Sequence, residues 1–238
     1  MALSASLLTD LVLASRILSN EGVLDSFGHV SARDPDRADR FHLSRARAPG
    51  LVEPDDILEF DQDSSPVTPT GHRVFAERVI HGSIYRARPD VMAVCHHHAP
   101  SILPFCVTQV PLEPVFHLGA TMGETVPVWD SQGEFGDTNL LVATDAQGGS
   151  LARALGGNWT VLMRRHGATV AGRSVREVVF RSIYGARNAE FQSRAMSLGT
   201  VTPLTPGERR AAGEFNLTPI ALDRAWEQWV SGAGPVTP

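Results

Sequence analysis

The chain has 238 residues, 42% hydrophobic and 20% charged, which suits one globular domain with a full core. A net charge of −5 argues against a nucleic-acid partner, and no apolar run reaches membrane-spanning length. All 21 basic residues are arginines, which excludes a lysine Schiff base and covalently held pyridoxal phosphate. Cys95 and Cys106 make no disulfide framework, and the N-terminus shows no charged segment leading into an apolar block. A cytoplasmic protein with no membrane partner is expected.

Residues 5 to 19 carry apolar side chains at helical spacing and predict an opening helix that stops near Asn20 and Gly22. Gly28 then permits a tight turn into a strand, with His29, Ser31 and Arg33 as polar groups beside it. Phe41 to Ser44 reads as a second strand paired with the first, followed by Arg45 and Arg47. Ile57 to Phe60 reads as a third. A helix is expected from about Thr70 to Arg86, with Glu77, His81 and Tyr85 on one face, and Pro89 ends it. Val91 to Cys95 is a strand running into three histidines.

Ser101 to Cys106 suggests a short helix and Val126 to Trp129 a strand. Asp130 to Asn139 suggests a mobile loop. Leu140 to Leu155 suggests a helix broken by, or starting beyond, Gly148 and Gly149. A strand over Thr160 to Met163 is expected to continue past Gly167 through Val170. Ser174 caps a long helix to about Ser197. Pro203, Pro206 and Gly207 precede a last helix with Trp226 and Trp229, and residues 232–238 read as a loose tail. Strands interspersed with helices predict an α/β layered domain spanning 1–238.

The histidines carry the chemistry. Alternate strand residues share a face, so His96 and His98 can grip one divalent cation while His97 points away. A catalytic site of this kind commonly has three protein ligands and an open position. His166, which ends a strand before Gly167, is the candidate third. Imidazoles suit Zn, Mn, Fe or Co.

The set Gly28-His-Val-Ser-Ala-Arg33, Glu77-x3-His81-x3-Tyr85, Val94-Cys-His-His-His98 and Arg165-His-Gly167 resembles the class II aldolase/adducin-like, metal-dependent lyases. The resemblance implies a three-layer fold, a central and mostly antiparallel sheet flanked by helices. It implies metal ligands His96, His98 and His166, an acid/base at Glu77, and a homotetramer. Sugar-phosphate members hold phosphate with serines before the glutamate and a Thr-Gly pair after the second strand; here Phe75-Ala76 and Ser44-Arg45 stand there. His98-Ala-Pro-Ser101, Ile102 to Phe105 and His117 look more like the branch that decarboxylates hydroxylated aromatic or pyridine carboxylates.

The expected function is a divalent-metal carbon–carbon lyase, a decarboxylase with no nucleotide cofactor, acting on a small-molecule carboxylate. Glu77 is the expected proton donor, with His29, Ser31, Arg45 and His117 on the substrate. Three other readings stay open: an aldolase on a non-phosphorylated hydroxy-keto acid, a non-haem Fe(II) oxygenase, and an adducin-like binding module without activity.

Overall fold

A computed structural model describes residues 4–236. Its strands are β1 (His29–Arg33), β2 (Arg40–Ser44), β3 (Ile57–Asp61), β4 (Ala93–His97), β5 (Val128–Trp129), β6 (Thr160–Met163) and β7 (Gly167–Gly172). They form one sheet in the order β3-β2-β1-β4-β7-β6-β5, antiparallel throughout except β5 against β6. The helices are α1 (Ala5–Asn20), α2 (Arg78–Ala87), α3 (Leu103–Val107), α4 (Gln132–Phe135), α5 (Asp145–Leu155), α6 (Val175–Leu198), α7 (Pro206–Asn216) and α8 (Pro219–Ala233). Helices cover both faces, so the layered α/β architecture holds.

Strand alternation sets the layers. Val30 and Ala32 of β1, Ala93 and Cys95 of β4 and Val170 of β7 pack with α1, α6 and α8. Val94 and Ala171, one residue out of phase, pack with α2, α5 and the β2–β3 aromatics Phe41 and Phe60 on the other face. His96 shares the phase of Val94 and therefore looks toward α2, whereas His97 shares that of Cys95. Both are buried.

Several boundaries depart from the sequence pattern. The helix expected from Thr70 starts only at Arg78, with Glu77 at its N-cap. Glu77 thus sits at the positive end of the helix dipole rather than inside the helix. The helix expected from Leu140 starts at Asp145, where Thr144 and Gln147 cap each other reciprocally. Gly148 lies inside it and does not break it. A Cβ there would stand 2.5 Å from Ser83 Oγ and 2.9 Å from Val79 O, so glycine is what lets α5 close onto α2.

The strand expected to run on through Gly167 is instead a hairpin. Met163 pairs with Gly167, and the three residues between them make the turn, with Arg165 at φ 61°. The segment expected to be a mobile loop contains α4 and a buried Ser131. An additional helix, α7, precedes the tryptophan helix, opened by Thr205, Pro206 and Glu208 as a capping box. The expected tail from residue 232 begins inside α8. Ala233 is buried, Asn20 donates to Gly232 O at 3.0 Å, and Arg16 donates to Pro235 O at 2.9 Å. Residues 237 and 238 lie outside the described residues.

Candidate active site

Three imidazoles converge where β4 ends beside the β6–β7 turn. Nε2 of His98 lies 3.1 Å from Nε2 of His96 and 3.1 Å from Nε2 of His166. The protons are elsewhere on the rings. His96 Nδ1 donates to Ala168 O at 3.1 Å and His166 Nδ1 donates to Leu140 O at 2.9 Å, because a carbonyl only accepts. Burial, and then the neighbouring histidines, lower His98 to about 4 and also lower His166. With Nδ1 of His96 and of His166 donating to carbonyls, Nε2 of each ring is turned toward the same point, where it stands 3.1 Å from His98 Nε2.

Imidazole nitrogens at such distances need a proton or a cation between them. A cation about 2.0–2.1 Å from each nitrogen would hold them about 3.0–3.4 Å apart. The donor set therefore fits a divalent metal. Gly167 makes the approach possible: a side chain there would run into His97 O and the His98 ring. His97 stays outside the cluster, and its Nδ1 accepts from Ala99 N–H at 3.3 Å.

Glu77 completes a four-residue group whose ligating atoms all lie within 4.8 Å of one another. Its Oε2 is 3.5 Å from His96 Nε2, its Oε1 is 3.6 Å from His166 Nε2, and Oε1 accepts from Val142 N–H at 3.0 Å. Burial pushes this carboxyl up, but His96, His166 and the Val142 N–H outweigh it and hold it at about 2. Glu77 is a carboxylate at neutral pH.

The expected substrate-facing residues divide. His29 stands opposite His96 in the β1–β4 ladder, with ring centroids 5.4 Å apart, beside the cluster. Ser31 is fully buried, and its hydroxyl is taken by His81 Nδ1 at 2.6 Å and Tyr85 at 2.7 Å, which leaves nothing for a ligand. Arg45 lies at the same sheet end as His29. Its Nε donates to Asp56 Oδ1 at 2.5 Å, and Arg47 takes Oδ2 at 2.7 Å. Only the terminal nitrogens of Arg45 remain unengaged among the described hydrogen bonds. His117 is not brought to the site at all. It lines a separate cavity of about 1350 Å³ beside α1, α6 and α8, on the opposite face of the sheet.

The sequence reading missed Leu140 and Val142, whose backbone groups orient His166 and Glu77. Leu140 holds a left-handed φ of 68° while doing so. It also gave no role to His81, and it read Phe75 only as lacking a phosphate donor; the Phe75 ring lies 4.5 Å from that of His29. The backbone contacts had no side-chain signal; the His81 contact could have been read from its spacing to Tyr85 opposite a polar Ser31.

Comparison with known proteins bears on the family and the fold. The chain is 35% identical over 236 residues to the decarboxylase TropJ of Talaromyces stipitatus, covering 90% of this chain and 89% of that one. It is 28% identical over 188 residues to a 3,4-dihydroxyphthalate decarboxylase of Arthrobacter keyseri, covering 73% and 72%. An L-fuculose 1-phosphate aldolase from Glaciozyma antarctica superposes with a TM-score of 0.80 at 23% identity, over 96% of this chain and 88% of that one, and shows the same fold. Residues 9–193 match the model for the class II aldolase and adducin N-terminal domain, and the chain belongs to that family.

Proposed function

We propose that this protein is a divalent-metal-dependent carbon–carbon lyase that decarboxylates a hydroxylated aromatic or pyridine carboxylate. The observation that carries this reading is the convergence of three histidine Nε2 atoms with the Glu77 carboxylate. Relatives named as decarboxylases, one of them for a dihydroxyphthalate, support the choice of reaction. So does Phe75, whose ring fills space against His29 where a phosphate site needs small donors or exposed N–H groups.

His96, His98 and His166 would hold Zn, Mn, Fe or Co. When bound, such a cation supplies Lewis-acid chemistry, drawing off the negative charge that cleavage leaves on the substrate. Glu77, ionised at rest, takes the proton of the substrate hydroxyl. The C–CO2 bond then breaks, its electron pair stays on the ring carbon, and CO2 leaves. Glu77 delivers its proton to that carbon, and solvent restores the hydroxyl. His29 and the free nitrogens of Arg45 orient the substrate's oxygens.

Metal analysis followed by CO2 release over hydroxybenzoates, hydroxyphthalates and pyridine carboxylates tests the reading. Glu77→Gln should keep the metal and lose about 10²–10⁴-fold in turnover. Consumption of O2 with the same substrates would make it an oxygenase. Cleavage of a hydroxy-keto acid without CO2 release would make it an aldolase, and a purified protein that binds no metal would return it to the binding modules.

A further inference from the structure

Behind the candidate site runs a chain of four side chains with no water-filled gap. Tyr85 Oη lies 2.7 Å from Ser31 Oγ, Ser31 Oγ 2.6 Å from His81 Nδ1, and His81 Nε2 2.6 Å from His29 Nδ1. Ser31 and His81 are fully enclosed, Tyr85 is 2% exposed and His29 4%. Phe41 flanks Tyr85 and His81, and Phe75 flanks His29.

Counting protons fixes the direction of this chain. Burial pushes the Tyr85 phenol up, so it keeps its proton. A buried hydroxyl must donate, and among the described residues its one side-chain partner is Ser31. Ser31 then accepts from Tyr85, and its single proton goes to His81 Nδ1. With Nδ1 accepting, the His81 proton sits on Nε2 and is donated to His29 Nδ1. The His29 proton must then be on Nε2. In the opposite direction, the Tyr85 hydroxyl would be a buried donor with no acceptor, at a cost of about 1–3 kcal/mol.

His29 Nε2 has no hydrogen-bond partner among the described residues, although the ring is nearly buried beside His96. Among the described residues, the fully enclosed side-chain atoms without a hydrogen-bond partner are Glu59 Oε1 and Thr160 Oγ1, so His29 Nε2 opens on accessible space. We infer that Tyr85, Ser31 and His81 lock His29 in its Nε2–H tautomer, making it a neutral hydrogen-bond donor aimed at an oxygen of the substrate's anionic group. The lock deepens the proposed function and rests on it for the identity of the ligand, but the tautomer itself does not.

That separation supplies the test. Long-range ¹H–¹⁵N correlation on ¹⁵N-histidine-labelled protein reads which His29 nitrogen carries the proton, with no substrate present. The expected result is Nε2–H in the parent, and a loss of that preference in Tyr85→Phe and in Ser31→Ala, which cut the chain at successive links. With a substrate in hand, Tyr85→Phe should raise KM several-fold with kcat little changed. His29→Leu should raise KM about 10-fold or more, and His29→Asn, which keeps a donor, should recover part of it. Finding Nδ1–H in the parent overturns the lock, as does an unchanged His29 tautomer in both variants. Nε2–H in the parent with equal KM for His29→Leu and His29→Asn overturns the role on substrate while leaving the chain intact.

Discussion

His97 and His98 are adjacent, and only the strand period separates their chemistry. His98 offers Nε2 to the cluster, while His97 is buried on the α1–α6 face. His98→Ala should therefore lose metal. His97→Ala should keep it and lose about 1–3 kcal/mol of stability, read by metal content and urea unfolding. A second residue has a pH signature. Asp34 accepts from the Asp36 and Arg37 N–H groups, from Arg37 Nη2 at 2.7 Å and from His42 Nε2 at 3.1 Å. Burial raises this carboxyl, but the hydrogen bonds win and hold it at about 2 against an ordinary 3.8. A depressed folded value means the stabilisation is present above about pH 4 and is lost as pH falls toward 2. Asp34→Asn should be destabilised by about 1–2 kcal/mol at pH 7. Its deficit against the parent should shrink steadily between pH 4 and pH 2 in denaturant titrations.

At the scale of elements, the α2–α5 contact decides where the Glu77 backbone sits, and Gly148 decides the contact. Alanine favours a helix interior over glycine by about 1 kcal/mol. A Cβ at 148 would meet Ser83 Oγ at 2.5 Å and the Val79 carbonyl at 2.9 Å, and backbone cannot rotate away. The clash should win: Gly148→Ala is expected to destabilise by about 1–3 kcal/mol, and Gly148→Leu by more, in urea unfolding with turnover measured alongside. The same glycine shows what sequence can reveal. A composition rule reads it as a breaker, because the partner that makes it necessary lies 65 residues away on α2. Features fixed by local backbone geometry were readable: the alternation that joins His96 to His98, and the Ser174 cap of α6. Features made by remote partners were not. Arg45 looked free because Asp56 is 11 residues on. Gly167 looked like a pause in one strand because mostly apolar runs, 160–163 and 168–170, stand on either side of the Arg164–Gly167 segment. The carbonyl of Leu140 and the N–H of Val142 could come from any residue type. The capping box at Thr205 was readable by the same local rule as Ser174.

The whole molecule leaves large apolar side chains on its outside: Phe215 is 73% exposed, Ile220 75% and Leu198 90%, all on α6 to α8. Such exposure fits an assembly of copies, and light scattering should return a multiple of 25.7 kDa, four being expected from the resemblance. The last prediction concerns how the site ties the fold together. The end of β4, the β6–β7 turn, the Leu140–Val142 segment and the start of α2 come together at four acceptor-bearing side chains. These side chains face one another at 3.1 to 3.6 Å, close enough for one cation to give four separate segments a single tie. A cation that binds only the folded chain stabilises it by about 4 kcal/mol at 1,000 times its Kd. For a domain of this size each kcal/mol shifts Tm by about 2–4 °C, so removal of metal should lower Tm by roughly 8–16 °C. Addition of Zn or Mn after the chelator is removed should restore it. His96→Ala, lacking one ligand, should melt low and respond to neither treatment. If chelation strips the metal, by elemental analysis, and Tm stays put, the cluster does not link these segments.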